Sequence, residues 1–547
     1  MILPRFVAAL TASVLLFVLP AKAQNSSRLE SLLGIPAKNK PASTLPPLQD
    51  FQDCIRDGKL VLSLEDAIRL ALMNNTDVRL DQSAIDRTSN NVLRQFHPFD
   101  PTLTTTFNDQ RSKVPGFQEL QGASVLNTLS QAAQFNYNQT FETGTNFQST
   151  FYVNKNSTNS SFFFLNPYYY SSWQFQVTQP LLRNYGLFYN RAPIIIAQRN
   201  VRQARAVFEG EVSDILLLAI NGYWNVVLQR KNLVVQRKSL EEAQQSYERD
   251  KRALSLGALP PLDIYRPESQ VAARRVSVIQ AEYALTLAED QLRQFIGADL
   301  DPAIRVLDLD LTEEAKPAGE LLTIDIPSAL SRALTSRPEF EAVRQQLTVD
   351  DLKIRLAHNQ LRPDLELMGV YSTIGVGGNQ LSLTRPPVPV AYGGLTDSLS
   401  QIFHFNNPTY GFALTLTLPI KNRGAQADLG DALVSRQHDQ YQQVKTTQTI
   451  ILDVANAVHQ LEQAKLALEA ATVSVDLAQK TLQAEERKHE LGSETAFFVL
   501  DAQTQLAQAE FSLAQAQTNY QLALASLDHA TGELLVHHYV QLQPAPR

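Results

Sequence analysis

The chain has a single cysteine, Cys54, in 547 residues. That excludes an internal disulfide framework and any multi-cysteine metal site, and Cys54 reads as a bystander. There is no basic run and the formal net charge is −7, so no nucleic acid is expected as a partner. No stretch offers about 20 uninterrupted apolar residues, and so none reads as a transmembrane helix. A mature protein of this sequence can enter a membrane only as a β-barrel. A phosphate-binding glycine loop is missing, and no His-Glu pair has zincin spacing. The strand-helix alternation that builds α/β enzymes is missing too. No enzyme activity, cofactor or metal site is therefore expected. The nine histidines are scattered, with His537-His538 reading as solvated tail. Pairs of acids such as Asp350-Asp351 and Glu241-Glu242 read as exposed helix faces.

What the chain does have is periodicity. Between about Ala427 and Gly532 it reads as two very long helices joined at Leu491-Gly492-Ser493. In the second helix Val499, Leu506, Leu513, Tyr520 and Leu527 recur every seven residues, and so do Ala502, Ala509, Ala516, Ala523 and Ala530. Large and small residues alternating at spacings of three and four form a coiled-coil seam, and the alanines let the partner helix approach closely. Gly257 and Gly492 are 235 residues apart, as are Gly297 and Gly532. The same offset carries the large row onto Ile264, Val271, Val278, Leu285 and Leu292, whereas the small row survives as Ala281 and Ala288. At an offset of 262, Ala67 falls on Ala329, Ala71 on Ala333, Pro101 on Pro363 and Leu103 on Leu365. These matches predict an internal duplication.

Residues 1–23 read as a secretory signal peptide, with Arg5, an apolar run and Ala21-Lys22-Ala23. Residues 24–61, with four prolines and little periodicity, read as an extended strap. Repeat 1 is expected over 62–298. It would comprise a short helix at 63–95, opened by Ser63 and Asp66 as N-cap and first turn, then barrel strands at about 101–180 and a helical hairpin at about 192–297 with its tip at 257. Residues 299–321 would be a linker or equatorial segment. Repeat 2 is expected over 322–533, with a short helix, barrel strands at about 364–419 and a hairpin at about 427–532 with its tip at 492. Residues 534–547 would be a C-terminal tail.

The strand segments have two faces. Tyr410, Phe412, Leu414 and Leu416 alternate with Gly411, Ala413, Thr415 and Thr417; Trp173, Phe175 and Val177 alternate with Gln174, Gln176 and Thr178. Alternation of aromatic with small or polar residues over about ten positions is the pattern of a transmembrane barrel strand. Each strand region ends at a proline ahead of a helix, Pro180 and Pro419, since proline removes a ladder donor. A Thr143-Gly144 turn suggests an extra hairpin or a folded external loop within 101–180. The glycine- and proline-rich stretch 374–408 reads as a long exposed loop.

In this order the segments resemble the TolC-type outer-membrane efflux family across residues 62–535. The strings "LSLEDAIRLALMNN", "TQPLLR" and Val499-Leu500-Asp501-Ala502 carry the likeness. The resemblance implies a mixed α/β membrane protein of the Gram-negative cell outer membrane, extending into the periplasm. It would be a homotrimer, with four strands per chain closing a twelve-stranded β-barrel in outer-membrane lipid. A long α-helical coiled-coil barrel would continue it. The function implied is a passive exit duct for a tripartite efflux or type I secretion system, served by a periplasmic adaptor and an inner-membrane pump. The family's two acidic gate positions fall on Phe498, which is not acidic, and on Asp501. The tips Leu256-Gly257-Ala258 and Leu491-Gly492-Ser493 correspond to the adaptor contacts. The alternative is a periplasmic coiled-coil adaptor or scaffold without a barrel, which should have one hairpin rather than two.

Overall fold

Two sheets and a set of very long helices make up the structure, a computed structural model. It describes residues 50–117, 121–161, 163–256, 260–317, 321–382, 388–491 and 493–540. Asp53–Arg547 is one compact unit and Met1–Gln52 another; the description below concerns the first. The expected signal peptide lies outside the described residues, as does most of the strap.

Elements are numbered in chain order. Strands β1 (Ile55–Arg56) and β2 (Lys59–Leu62) form a hairpin, and β2 also pairs in parallel with β7 (Asp308–Leu311), so the supposed linker closes a small three-stranded sheet. Helices α1 (Leu64–Asn74) and α2 (Thr76–Arg94) replace the single helix expected at 63–95. Ser63 opens α1 with a capping box, its Oγ accepting from the Asp66 amide at 3.1 Å while the Ser63 amide donates to Asp66 at 3.3 Å. Asn75 breaks the run because it is itself an N-cap, its Oδ1 accepting from the Asp77 amide at 2.8 Å.

The chain then runs through strands β3 (Thr102–Pro115), β4 (Val125–Thr140), β5 (Asn146–Thr158) and β6 (Leu165–Pro180). Helices α3 (Leu187–Ser255) and α4 (Tyr265–Ile296) form the first hairpin. Helix α3 starts five residues before the expected Ala192 and carries Pro193 inside it; at 1.5 Å per residue its 69 residues span about 100 Å. Helices α5 (Ile326–Ser336) and α6 (Pro338–Gln360) are broken at Arg337, the position 262 after Asn75. Strand β8 (Asp364–Leu381), the short β9 (Pro389–Ala391), helix α7 (Leu395–Phe403) and strand β10 (Pro408–Thr417) follow. The second hairpin is α8 (Arg423–Glu490) and α9 (Ala496–Thr531).

The large sheet has the order β10-β8-β6-β5-β4-β3, every neighbouring pair antiparallel. Four strands therefore occupy 102–180, the Thr143-Gly144 turn joining an extra hairpin within the sheet rather than a folded external loop, and the sheet has six long strands where the resemblance implied four. One face carries Phe135, Phe151, Trp173, Phe175, Tyr371 and Phe412. The Phe135 and Phe151 rings lie 6.3 Å apart, and those of Phe151 and Trp173 6.1 Å. The other face of β3–β6 is mostly Thr, Asn, Gln and Ser toward the helices, with Tyr152 and Tyr170 farther along. There Asn136 accepts from Gln148 at 3.1 Å and from Thr150 at 3.0 Å, and Asn146 donates to Asn138 at 3.0 Å.

The stretch expected as an exposed loop from 374 is otherwise: Ile374–Leu381 continues β8, and α7 folds back onto the aromatic face. Phe403 stacks on Phe151 at 6.5 Å, and Ser398 Oγ donates to the Gly375 carbonyl at 2.7 Å. The glycines make this possible, since a Cβ on Gly375 would stand 1.9 Å from the Ser398 carbonyl oxygen of α7 and one on Gly377 2.2 Å from the carbonyl oxygen of Gly394, its N-cap. The pattern looks like a loop composition because the missing side chains leave room for a helix.

The helical core is the heptad seam. Val499, Leu506, Tyr520 and Leu527 are buried with Ala502, Ala509, Ala516, Ala523 and Ala530. Most of the upper seam packs with Ile450, Val454, Ala457, Val458 and Leu461 of α8. Both return helices end at a left-handed glycine, Gly297 (φ 74°) and Gly532 (φ 75°). Each glycine sits against a break between two short helices: a Cβ on Gly297 would lie 2.9 Å from Asn74, and one on Gly532 3.0 Å from Ser336 and Arg337.

Two polar groups depart from the sequence reading. Asp350 is 1% exposed instead of lying on a solvated face. His538 is not free tail: it is half-buried and lines a cavity against α1, and burial lowers its pKa while the Asp528 charge opposes the fall.

Candidate functional site

The hairpin ends gather the residues that the sequence marks for gating and contact. In the second hairpin, the Ser493 amide donates to the Lys488 carbonyl at 3.0 Å and His489 Nδ1 lies 3.1 Å from the Glu494 carbonyl, closing the turn. Helix α9 then starts at Ala496, and beneath the turn Val499, Ala502 and Leu506 pack with Leu482. That packing fixes what points away. Phe498, Asp501, Gln505 and Gln508, three or four residues apart, form one exposed stripe on α9. Gln505 donates to the Asp501 carboxylate at 2.7 Å. Phe498 is in edge contact with Phe497, whose ring carries the Arg266 guanidinium of the first hairpin at 5.0 Å. Phe497 and Arg266 escaped the sequence reading because their pairing joins residues 231 apart.

At the first hairpin end Leu256, Leu262 and Tyr265 are exposed apolar side chains, and at the second Leu491 is. Gly257, Ala258 and Gly492 lie outside the described residues; Ser493 is exposed.

Helix α9 also packs across onto the first hairpin. Lys238 donates to Glu510 at 2.9 Å, Arg274 to Thr504 at 2.5 Å, and His529 Nε2 lies 2.6 Å from Asp214. The Glu510 hydrogen bond raises the Lys238 pKa. Burial raises the carboxyls of Glu242 and Asp250 above the ordinary range, with the charges of Arg249 and then His489 opposing the rise at Asp250. Glu242 is thus half-buried between hairpins rather than on a solvated face. A side chain's heptad position reports its own helix, and the neighbouring hairpin is invisible to it.

At the other end of the helices, Pro180 closes β6 opposite Glu366 and Pro419 stands two residues past β10. An Arg183–Asp364 ion pair and the Leu181 amide on the Leu365 carbonyl at 2.7 Å tie the first transition to β8. Among the described residues no helix is long and apolar enough to cross a membrane. Asp528, Glu533 and His537 bring ligand-type atoms within 4.8 Å of one another. Ion pairs of Asp528 with His537 at 2.9 Å and of Glu533 with Arg332 at 2.8 Å account for that cluster.

Residues 329–533 match the family described as outer membrane efflux protein. Nodulation protein T of Rhizobium leguminosarum bv. trifolii is 23% identical over 62% of this chain and 68% of its own length. Outer membrane protein TolC of Vibrio cholerae is 23% identical over 62% of this chain and 72% of its own. Among solved structures, the Campylobacter jejuni CmeC outer membrane channel is similar with a TM-score of 0.61 at 14% identity, covering 92% of this chain and 91% of that one. The Neisseria gonorrhoeae MtrE outer membrane channel is similar with a TM-score of 0.57 at 18% identity, covering 90% and 98%. The two-faced sheet joined to paired helical hairpins is thus the fold of these outer membrane channels, and residues 329–533 carry the match to the outer membrane efflux protein family.

Proposed function

We propose that the protein is an outer-membrane exit duct. Three copies close a β-barrel whose aromatic face meets lipid and whose Thr, Asn and Gln face lines water, and the helices extend it as a tunnel into the periplasm. The observation that carries this reading is the direct passage from two-faced strands, through Pro180 and Pro419, into helical hairpins about 100 Å long. A single copy has too few strands to close a conducting barrel. The equivalent glycine contacts at Gly297 and Gly532, and the equivalent breaks at Asn75 and Arg337, support two structural repeats per chain.

Conduction is passive. An inner-membrane pump supplies the energy and a periplasmic adaptor contacts the tips around Leu256-Gly257-Ala258 and Leu491-Gly492-Ser493, where exposed leucines offer apolar contact. Asp501 forms the charged ring of the constriction and Phe498 an apolar constriction beside it. Three carboxylates around one axis attract cations and repel one another. The adaptor or scaffold alternative leaves the six-stranded sheet without a role.

The test is single-channel recording of the purified protein in a planar bilayer. Expected are discrete openings blocked by trivalent cations, block that is lost in Asp501→Ala, and higher conductance in Phe498→Ala. Openings indifferent to both substitutions would retain the duct and discard these gate residues. A protein that stays water-soluble without detergent and never inserts would overturn the duct.

A further inference from the structure

The six long strands of the large sheet end on two open edges: among the described residues β3 pairs only with β4, and β10 only with β8, whose far end also pairs with the short β9. Strand direction alternates along the whole order, with β3 leaving the helical side and β10 returning to it. A β3 from a second copy laid beside β10 is therefore antiparallel.

The register shows how far the strands lean. One row of paired residues runs Thr102, Asn138, Gln148, Gln176, Val370, Gly411. It begins on the first residue of β3 and ends six residues before Thr417, the last of β10. A climb of six residues over five strand-to-strand steps, at about 3.3 Å per residue and about 4.8 Å per step, is a tilt of about 40°. Membrane barrel strands tilt by about 35–45°, so this sheet already has the stagger of a barrel wall.

The hairpin β4–β5 belongs to that wall. Its strands are 16 and 13 residues long, and its two faces continue those of its neighbours. On one, Phe135 and Phe151 join the aromatic row of Trp173; on the other, Asn136, Gln148 and Thr150 join the polar ladder. A hairpin folded over the outside would bury one face and need no polar face continuous with the lumen side.

Resting on the trimeric duct reading, we propose that β10 of one copy pairs with β3 of the next, so that three copies close an eighteen-stranded barrel. The pairing sets Leu416 opposite Leu103, Leu414 opposite Thr105 and Phe412 opposite Phe107. This register levels Thr417 with Thr102 at the helical rim. It also keeps the apolar face continuous, which a slip of one residue would reverse. Barrel diameter grows roughly linearly with strand number. Because that register adds no climb at the sixth step, the closed wall tilts by about 35°, and eighteen strands give a diameter of about 34 Å, against about 23 Å for twelve. The occupant of each open edge is thus a second copy of this chain.

Two measurements on the full-length protein test this. Thr105→Cys combined with Leu414→Cys, oxidised in membranes, should give covalent dimers and trimers on denaturing gels, while either single variant stays monomeric; the native Cys54 is buried and gives no background. Electron microscopy of the unmodified protein in nanodiscs should show eighteen strands. A twelve-stranded barrel with β4–β5 outside the wall would overturn the inference and leave the duct standing. Eighteen strands without the cross-link would overturn the register. No barrel at all would overturn the duct reading itself.

Discussion

Gly297 and Gly532 set a quantitative test of how the hairpins dock. Each has a left-handed backbone, and each would place a new Cβ at 2.9–3.0 Å from the break between two short helices. Alanine at either site meets two separate penalties. The left-handed conformation costs an L-residue about 1–2 kcal/mol. Crowding the Asn74 or Ser336–Arg337 backbone costs a further 1–3 kcal/mol or so, because that backbone is held by helix caps and cannot slide away. Gly58 isolates the first penalty, since it has φ 73° in the β1–β2 turn and no atom within 4 Å of a new Cβ. Gly411 isolates neither, being in a strand with no left-handed φ and equally open space. Chemical unfolding in detergent, followed by helical circular dichroism, should therefore rank the alanine variants. Gly411→Ala should be neutral or slightly stabilising, Gly58→Ala should lose about 1 kcal/mol, and Gly297→Ala and Gly532→Ala should each lose about 2–4 kcal/mol. Equal midpoints for Gly297→Ala and Gly58→Ala would show that the docking contact contributes nothing. A costly Gly297→Ala beside a harmless Gly532→Ala would refute the equivalence of the two contacts.

Other consequences are more local. Asp350, almost fully buried and beside Asp439, has its pKa pushed up to about 6, by burial first and by the neighbouring carboxylate second. A carboxyl whose folded pKa is raised favours the fold while protonated, so its contribution is full at low pH and is lost as pH rises from about 4 through about 6. Asp350→Asn should flatten the stability profile across that window, and an unaltered profile would clear Asp350. Leu527→Ala, which empties a 2%-exposed seam position, should cost about 2–5 kcal/mol in thermal or chemical unfolding; a loss under half of one would mean the seam collapses to fill the space. Gly375→Ala would place its Cβ 1.9 Å from the Ser398 carbonyl oxygen; release of α7 should speed proteolysis between 388 and 407, and unchanged cleavage would contradict the docked helix. Gly492→Trp should abolish whatever export a folded, membrane-inserted protein supports in cells, whereas full export would end the tip-contact proposal.

The sequence by itself determined the elements whose cause is local. A seven-residue repeat of large and small residues can be buried only along a helix seam, and Val499 to Leu527 lie on one. Ser63 and Asp66 carry their capping box in a span of four residues. Alternation at Tyr410 to Leu416 requires a two-faced strand, whatever it pairs with. Phe498 and Asp501 share one exposed stripe because Val499 and Ala502 are held inside.

The tertiary structure alone decided what depends on distant partners. The Thr143-Gly144 turn leaves open whether β4 and β5 form an extra hairpin or a folded loop, and only their pairing with β3 and β6 on either side places them in the sheet. The glycines of β8 resemble a loop until α7 is seen to occupy the space their missing side chains leave. The short helices break at Asn75 and Arg337, where Gly297 and Gly532 arrive from more than 190 residues away. Asp350 is buried only because α6 meets α8 near Asp439. Spacing along a chain fixes which side chains share a face; which face meets which is set by packing between segments far apart in sequence, and that information resides in the fold.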